Sequence, residues 1–93
     1  MYVVINKFSV EPKHHRGFLK ETKTIWIKAY KTSPGFVKTL ILKSNKNGKE
    51  FLTIDAWKSK KYADKFFAKN LDKLLKASDV PKRCVSRKSY NSL

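Results

Sequence analysis

Cysteine is almost missing from this sequence. Cys84 is the only one among 93 residues, which excludes an internal disulfide and suits a reducing compartment, the cytoplasm by default. Glycine and proline are also scarce, three of each, and no glycine-rich loop for cradling phosphate can be built from them. No apolar run approaches the ~20 residues that cross a bilayer. The start, Met1-Tyr2-Val3-Val4-Ile5-Asn6-Lys7, lacks the basic n-region and apolar stretch of a secretory leader. Acidic residues number only seven, with no close carboxylate pair and no Ser-His-Asp order among them. The two histidines, His14 and His15, are neighbours that point in different directions on a helix, with no Cys, Asp or Glu at ligand spacing, so no metal site is expected. Cys84 has no histidine close in sequence; although Arg83 and Arg87 flank it, it reads as an inert thiol.

What is plentiful is lysine and apolar surface. Hydrophobic residues make up 41% of the chain and aromatics 13%, the composition of a packed domain rather than a disordered one. One domain over residues 1–93 is expected, with no linker or repeat. A chain this short buries roughly 60–65% of its unfolded surface, so further burial in a dimer would help it. The net charge is +15, a surplus that attracts phosphate backbones and anionic surfaces. Yet only Arg16, Arg83 and Arg87 are arginine, and the lysines are spread along the whole chain, densest at Lys58, Lys60 and Lys61. Lysine is a hydrated point charge, whereas specific nucleic-acid contacts favour the arginine fork. The charge therefore reads as a solvated surface, with nucleic acid a possible but not favoured partner and no membrane association.

Periodicity supplies the elements. Residues 3 to 10 alternate as a strand. Glu11-Pro12 then opens a helix to about Lys31, on which Phe18, Leu19, Thr22, Ile25, Trp26 and Ala29 recur at helical spacing. Ser33-Pro34-Gly35 breaks it. Phe36 to Lys43 is a second strand, Asn47-Gly48 marks a hairpin, and Phe51 to Trp57 is a third. Ser59 is placed to cap a second helix with the stripe Ala63, Phe66, Phe67, Leu71, Leu74 and Leu75. Cys84 to Tyr90 completes a βαββαβ order, the α+β ferredoxin-like plan of a four-stranded antiparallel sheet with two helices on one face.

Alternation in the third strand separates Leu52, Ile54 and Ala56 from Phe51, Thr53, Asp55 and Trp57. Because the second set contains Thr53 and Asp55, the first set is expected to meet the helices, together with Val3 and Ile5 of the first strand. Tyr2, Val4, Phe8, Phe51 and Trp57 would then lie on an uncovered face, and that much exposed apolar surface calls for a cover. A second copy, sheet to sheet, is the simplest.

The βαββαβ order, the Ser33-Pro34-Gly35-Phe36-Val37 turn into strand 2, and Ala56-Trp57-Lys58-Ser59 at the junction of strand 3 and helix 2 resemble the antibiotic biosynthesis monooxygenase-like domain over nearly the whole chain. The resemblance implies a homodimeric α+β barrel with one cavity per subunit between sheet and helices. It also implies activities that include cofactor-free oxygenation of aromatic polyketides and quinols, and haem degradation. The haem-degrading branch uses an asparagine on strand 1, a tryptophan ending strand 3 and a histidine on helix 2. Asn6 and Trp57 match the first two, but residues 60–78 hold no histidine, so the usual haem ligation fails.

A cofactor-free oxygenase asks less: bind a substrate that forms a stabilised carbanion, hold the anion and exclude water. The expected catalytic residues are Asn6 as hydrogen-bond donor, Asp55 as base and Trp57 as aromatic wall. Tyr2, Phe8, Phe51 and Trp26 are the expected substrate-binding residues, with no metal and no cofactor. Each has a plainer role open to it. Trp57, Phe51 and Trp26 suit a core or a dimer interface, Asn6 can satisfy a neighbouring group, and Asp55 can pair with a lysine across the sheet. A non-catalytic small-molecule-binding dimer is a further alternative. An RNA-binding module, which shares βαββαβ and stacks bases on its free sheet face, is the other. Strand 3 offers Lys49-Glu50-Phe51-Leu52-Thr53-Ile54, with one aromatic and no glycine where the RNA motif needs Gly-Phe-Gly-Phe-Val.

Overall fold

The computed structural model describes residues 1–93. Four strands, β1 (Tyr2–Ser9), β2 (Phe36–Lys43), β3 (Glu50–Trp57) and β4 (Arg83–Asn91), form one antiparallel sheet in the order β2-β3-β1-β4. Between β1 and β2 a 3-10 turn, Pro12–His14, leads into helix α1. This helix is α-helical over His15–Glu21, π-helical over Thr22–Ile27 and α-helical again over Lys28–Lys31. Helix α2 (Lys60–Ala77) connects β3 to β4. The ferredoxin-like α+β plan read from periodicity is the one adopted. No helix is long and apolar enough to cross a membrane.

The helices cover the opposite face of the sheet from the one expected. Trp57 packs against Tyr30 of α1 and Phe66 and Phe67 of α2, at ring separations of 5.7, 5.4 and 6.2 Å. Phe51 packs on Phe18 of α1 at 5.1 Å and on the edge of His15 at 4.8 Å. On the helix-covered face of β3 the buried residues are thus Phe51, Thr53, Asp55 and Trp57, with Val4 beside them on β1; Ala56, on the other face, is also buried. The polarity rule fails here because Thr53 and Asp55 are not solvent groups; they face space enclosed beneath the helices. The large rings on this face fill a volume under two helices that Leu52, Ile54 and Ala56 could not.

The uncovered face is aliphatic instead. Register places Leu40, Ile54 and Ile5 side by side across β2, β3 and β1, with Leu42 and Leu52 in the next row and Val3 beside Tyr90 at the far edge. Leu40 and Leu42 are 46% and 45% exposed. Tyr90 is the only aromatic on this face, so it offers no platform for stacking bases of the kind RNA-recognition sheets use.

Two local features set the connections. Gly35 has φ of 81° and its carbonyl accepts from Lys58 N–H at 2.7 Å, tying the α1–β2 turn to the end of β3. A Cβ at this position would collide with the Tyr62 ring of α2. Left-handed strain and overpacking each cost about 1–3 kcal/mol, so Gly35→Ala is expected to lower unfolding free energy by about 2–4 kcal/mol in urea denaturation. The β2–β3 hairpin closes without a positive-φ residue. Ser44 Oγ accepts from Lys46 and Asn47 N–H, and Asn47 Oδ1 accepts from Lys49 N–H, so side-chain turns rather than a two-residue primed turn reverse the chain.

Candidate functional site

Between sheet and helices lies a cavity of about 310 Å³, within the range of small-molecule sites. Its helical wall comes from Phe18, Thr22, Trp26 and Tyr30 of α1 and from Phe67 and Leu71 of α2. The α1 residues are spaced by four. Steps of four keep side chains on one face of a helix, and the stretch Thr22–Ile27 is π-helical. Trp26 is fixed from behind: its Nε1–H donates to Ser78 Oγ at 2.8 Å, and Ser78 donates in turn to Leu74 O at 2.8 Å.

The sheet forms a polar floor. Thr53, Asn6 and Arg87 lie in register across β3, β1 and β4, and Asn6 Nδ2 donates to Thr53 Oγ1 at 3.3 Å. One row along, Thr39 Oγ1 on β2 donates to Asp55 Oδ1 at 3.1 Å. Asp55 is 1% exposed. Burial pushes its pKa up to about 6, against the opposing pull of the Thr39 hydrogen bond and the Arg87 charge. Burial, with Asp55 nearby, also drives the Tyr30 hydroxyl far above its ordinary value, while Arg87 opposes this, so Tyr30 stays a protonated donor. The site thus holds a carboxyl poised to trade a proton near neutral pH, inside apolar walls.

One end of the cavity is pinned by a buried ion pair. Lys82, which lines the cavity, donates to Glu21 Oε2 at 2.7 Å, and the Asp79 and Val80 N–H groups donate to Glu21 Oε1 at 2.7 and 3.0 Å. Burial raises the Glu21 pKa, but the hydrogen bonds from Lys82 and the two amides, with the Lys82 charge, outweigh it and hold the carboxyl below its ordinary value. Glu21 stays ionised and anchors the α2–β4 connection to α1.

Of the residues expected from sequence, Asn6, Asp55, Phe8 and Trp26 line this cavity. Trp57, Phe51 and Tyr2 do not. Trp57 is 0% exposed in the core, where its Nε1–H finds no acceptor. Tyr2 packs against the same cluster, and Phe51 belongs to a second cluster with Val10 and Phe18. Asp55 pairs with Thr39 rather than with a lysine. His15 Nε2 contacts Val10 O at 2.8 Å, a structural use. Tyr30, Thr39 and Arg87 were not anticipated. Tyr30 continues the four-residue step of Phe18, Thr22 and Trp26, and that series was the available signal.

The family model for antibiotic biosynthesis monooxygenase matches residues 1–70. Solved structures agree in fold. HapK from Hahella chejuensis superposes with a TM-score of 0.82 at 11% identity, covering 100% of this chain and 93% of that one. SnoaB, a cofactor-independent oxygenase from Streptomyces nogalater, gives 0.72 at 14% identity, covering 99% and 92%. A candidate antibiotic biosynthesis monooxygenase from Nitrosomonas europaea gives 0.73 at 21% identity, covering 100% and 99%. No curated protein matches the chain. With the family model extending from β1 well into α2 and the fold matched end to end, this chain belongs to the antibiotic biosynthesis monooxygenase family.

Proposed function

We propose that this protein is a cofactor-independent monooxygenase acting on a small aromatic or quinol-type substrate in the cavity between sheet and helices. The observation that supports this most is a carboxyl, Asp55, buried among aromatic walls with a pKa near 6. Asp55 takes a proton from an activated ring carbon, as in an anthrone methylene. The carbanion passes one electron to dioxygen, and the substrate radical and superoxide combine into a carbon-bound peroxide. That peroxide takes back the proton and loses water to leave a ketone. One CH2 and one O2 become one C=O and one H2O. Asn6 and the Tyr30 hydroxyl donate hydrogen bonds to the oxygen that gains charge, and the ring walls exclude water. The SnoaB likeness in fold accords with this reading.

The protein works as a homodimer whose two aliphatic sheet faces cover one another. The polar cavity then sits on the far side of each sheet and remains open to substrate.

Oxygen uptake with anthrone and quinol substrates tests the activity. Wild type is expected to consume oxygen in proportion to product, and Asn6→Ala to lower kcat about 10–100-fold. No uptake above the buffer rate, or full activity in Asn6→Ala, would count against the proposal or against its site.

A further inference from the structure

We infer that the cavity selects a negatively charged aromatic substrate, an aryl carboxylate, whose anion is held by Arg87 at the β4 edge. The inference rests on the cavity being a substrate site and names the substrate class it takes. Two cations line the cavity, and they differ in what holds them. Lys82 is spent on Glu21 and on Val80 O, at 2.7 and 3.2 Å. Arg87 has neither a carboxylate within ion-pair distance nor a side-chain hydrogen bond. Its guanidinium lies 4.8 Å from the centroid of the Phe67 ring, which orients the fork while leaving its N–H groups free. A planar fork with free donors matches a carboxylate in two-point contact.

The spacing suits an aromatic that spans the floor. Asp55 on β3 and Arg87 on β4 are separated by β1 and lie on adjacent rows, so two inter-strand steps and one two-residue step along the strand put their backbones about 12 Å apart. That is the length of a fused aromatic with its acid group at one end and its reacting carbon at the other. The anion is thereby kept away from Asp55, and the rings lie along Phe8, Trp26 and Phe67. The net charge of +15 gives such a substrate a favourable approach that a neutral one would not feel.

Calorimetric titration with 2-naphthoate and its neutral isostere 2-naphthamide tests the inference without turnover. Wild type is expected to bind naphthoate about 10–100-fold more tightly, the range for a charge-assisted contact, with the advantage shrinking as sodium chloride is raised. Arg87→Gln, at an exposed edge position, should abolish the advantage while changing naphthamide affinity less than about twofold, and Arg87→Lys should retain part of it. Equal affinity of wild type for both probes, no binding of either, or an undiminished preference in Arg87→Gln would overturn it. The result is independent of oxygen chemistry. An intact preference with no oxygen uptake removes the oxygenase and leaves the anion site; uptake without preference does the reverse.

Discussion

Replacing Asp55 by asparagine is expected to abolish turnover and, at the same time, to make the protein more stable at pH 8. The folded-state pKa of Asp55 is about 6, raised from 3.8 chiefly by burial. A raised pKa means the folded protein holds the proton more tightly than the unfolded chain does. That favours folding fully below about pH 4, and the advantage is lost as pH rises through about 6. Above that, the fold carries an ionised carboxylate in an apolar site at a cost of about 3 kcal/mol, from two pH units at about 1.4 kcal/mol each. The substituted amide would keep an acceptor for Thr39 without the charge. Thermal unfolding should therefore show Asp55→Asn melting on the order of 10 °C above wild type at pH 8, with the two converging near pH 4. Oxygen uptake should fall to the buffer rate at every pH. A variant less stable than wild type at pH 8 would show that Asp55 is a structural group. Stability and activity moving in opposite directions mark a residue kept for its chemistry.

The second large effect concerns the aliphatic face. Ile54 lies at its centre, flanked by Leu40 on β2 and Ile5 on β1. Ile54→Lys would bring an unpaired ammonium from each copy into the middle of the proposed interface, at a cost of several kcal/mol. Light scattering after gel filtration should give twice 10.8 kDa for wild type and a single chain for the variant, with the dissociation constant raised about a thousandfold or more. Far-UV circular dichroism should be unchanged, because residue 54 faces away from the helices. A wild type that elutes as a monomer would leave Leu40, Leu42 and Tyr90 exposed without purpose and would rule out the dimer.

The elements were legible because each has a clean period. The bounds of β2 match at Phe36–Lys43, although a register shift between Phe36 and Lys38 turns Phe36 onto the helix-covered face with Trp57 and away from Leu40 and Leu42. The apolar stripe of α2 does pack Ala63, Phe66 and Leu74 into the core. What misled was the assumption that polar residues on a strand point to water. Thr53 and Asp55 sit on the helix-covered face because that layer holds a cavity, the proposed substrate site. The inversion changes the roles of particular residues. Trp57 and Phe51 become packing groups, whereas Asp55 and Asn6 move from an open surface into an enclosed one. Tyr30 was legible as the next four-residue step after Phe18, Thr22 and Trp26, but the apolar stripe read from the sequence stops at Ala29. Arg87 stands out in the sequence only as a neighbour of Cys84, since its approach to Asn6 depends on β4 pairing with β1, which no local pattern records.

Proton abstraction can be measured apart from oxygen chemistry. Under nitrogen in heavy water, NMR follows loss of the methylene protons of an anthrone as they exchange with solvent. Wild type is expected to accelerate this exchange with a rate that rises through about pH 6 and levels off above it, and Asp55→Asn to give only the buffer rate. Exchange by Asp55→Asn as fast as by wild type would contradict the assignment of Asp55 as the base.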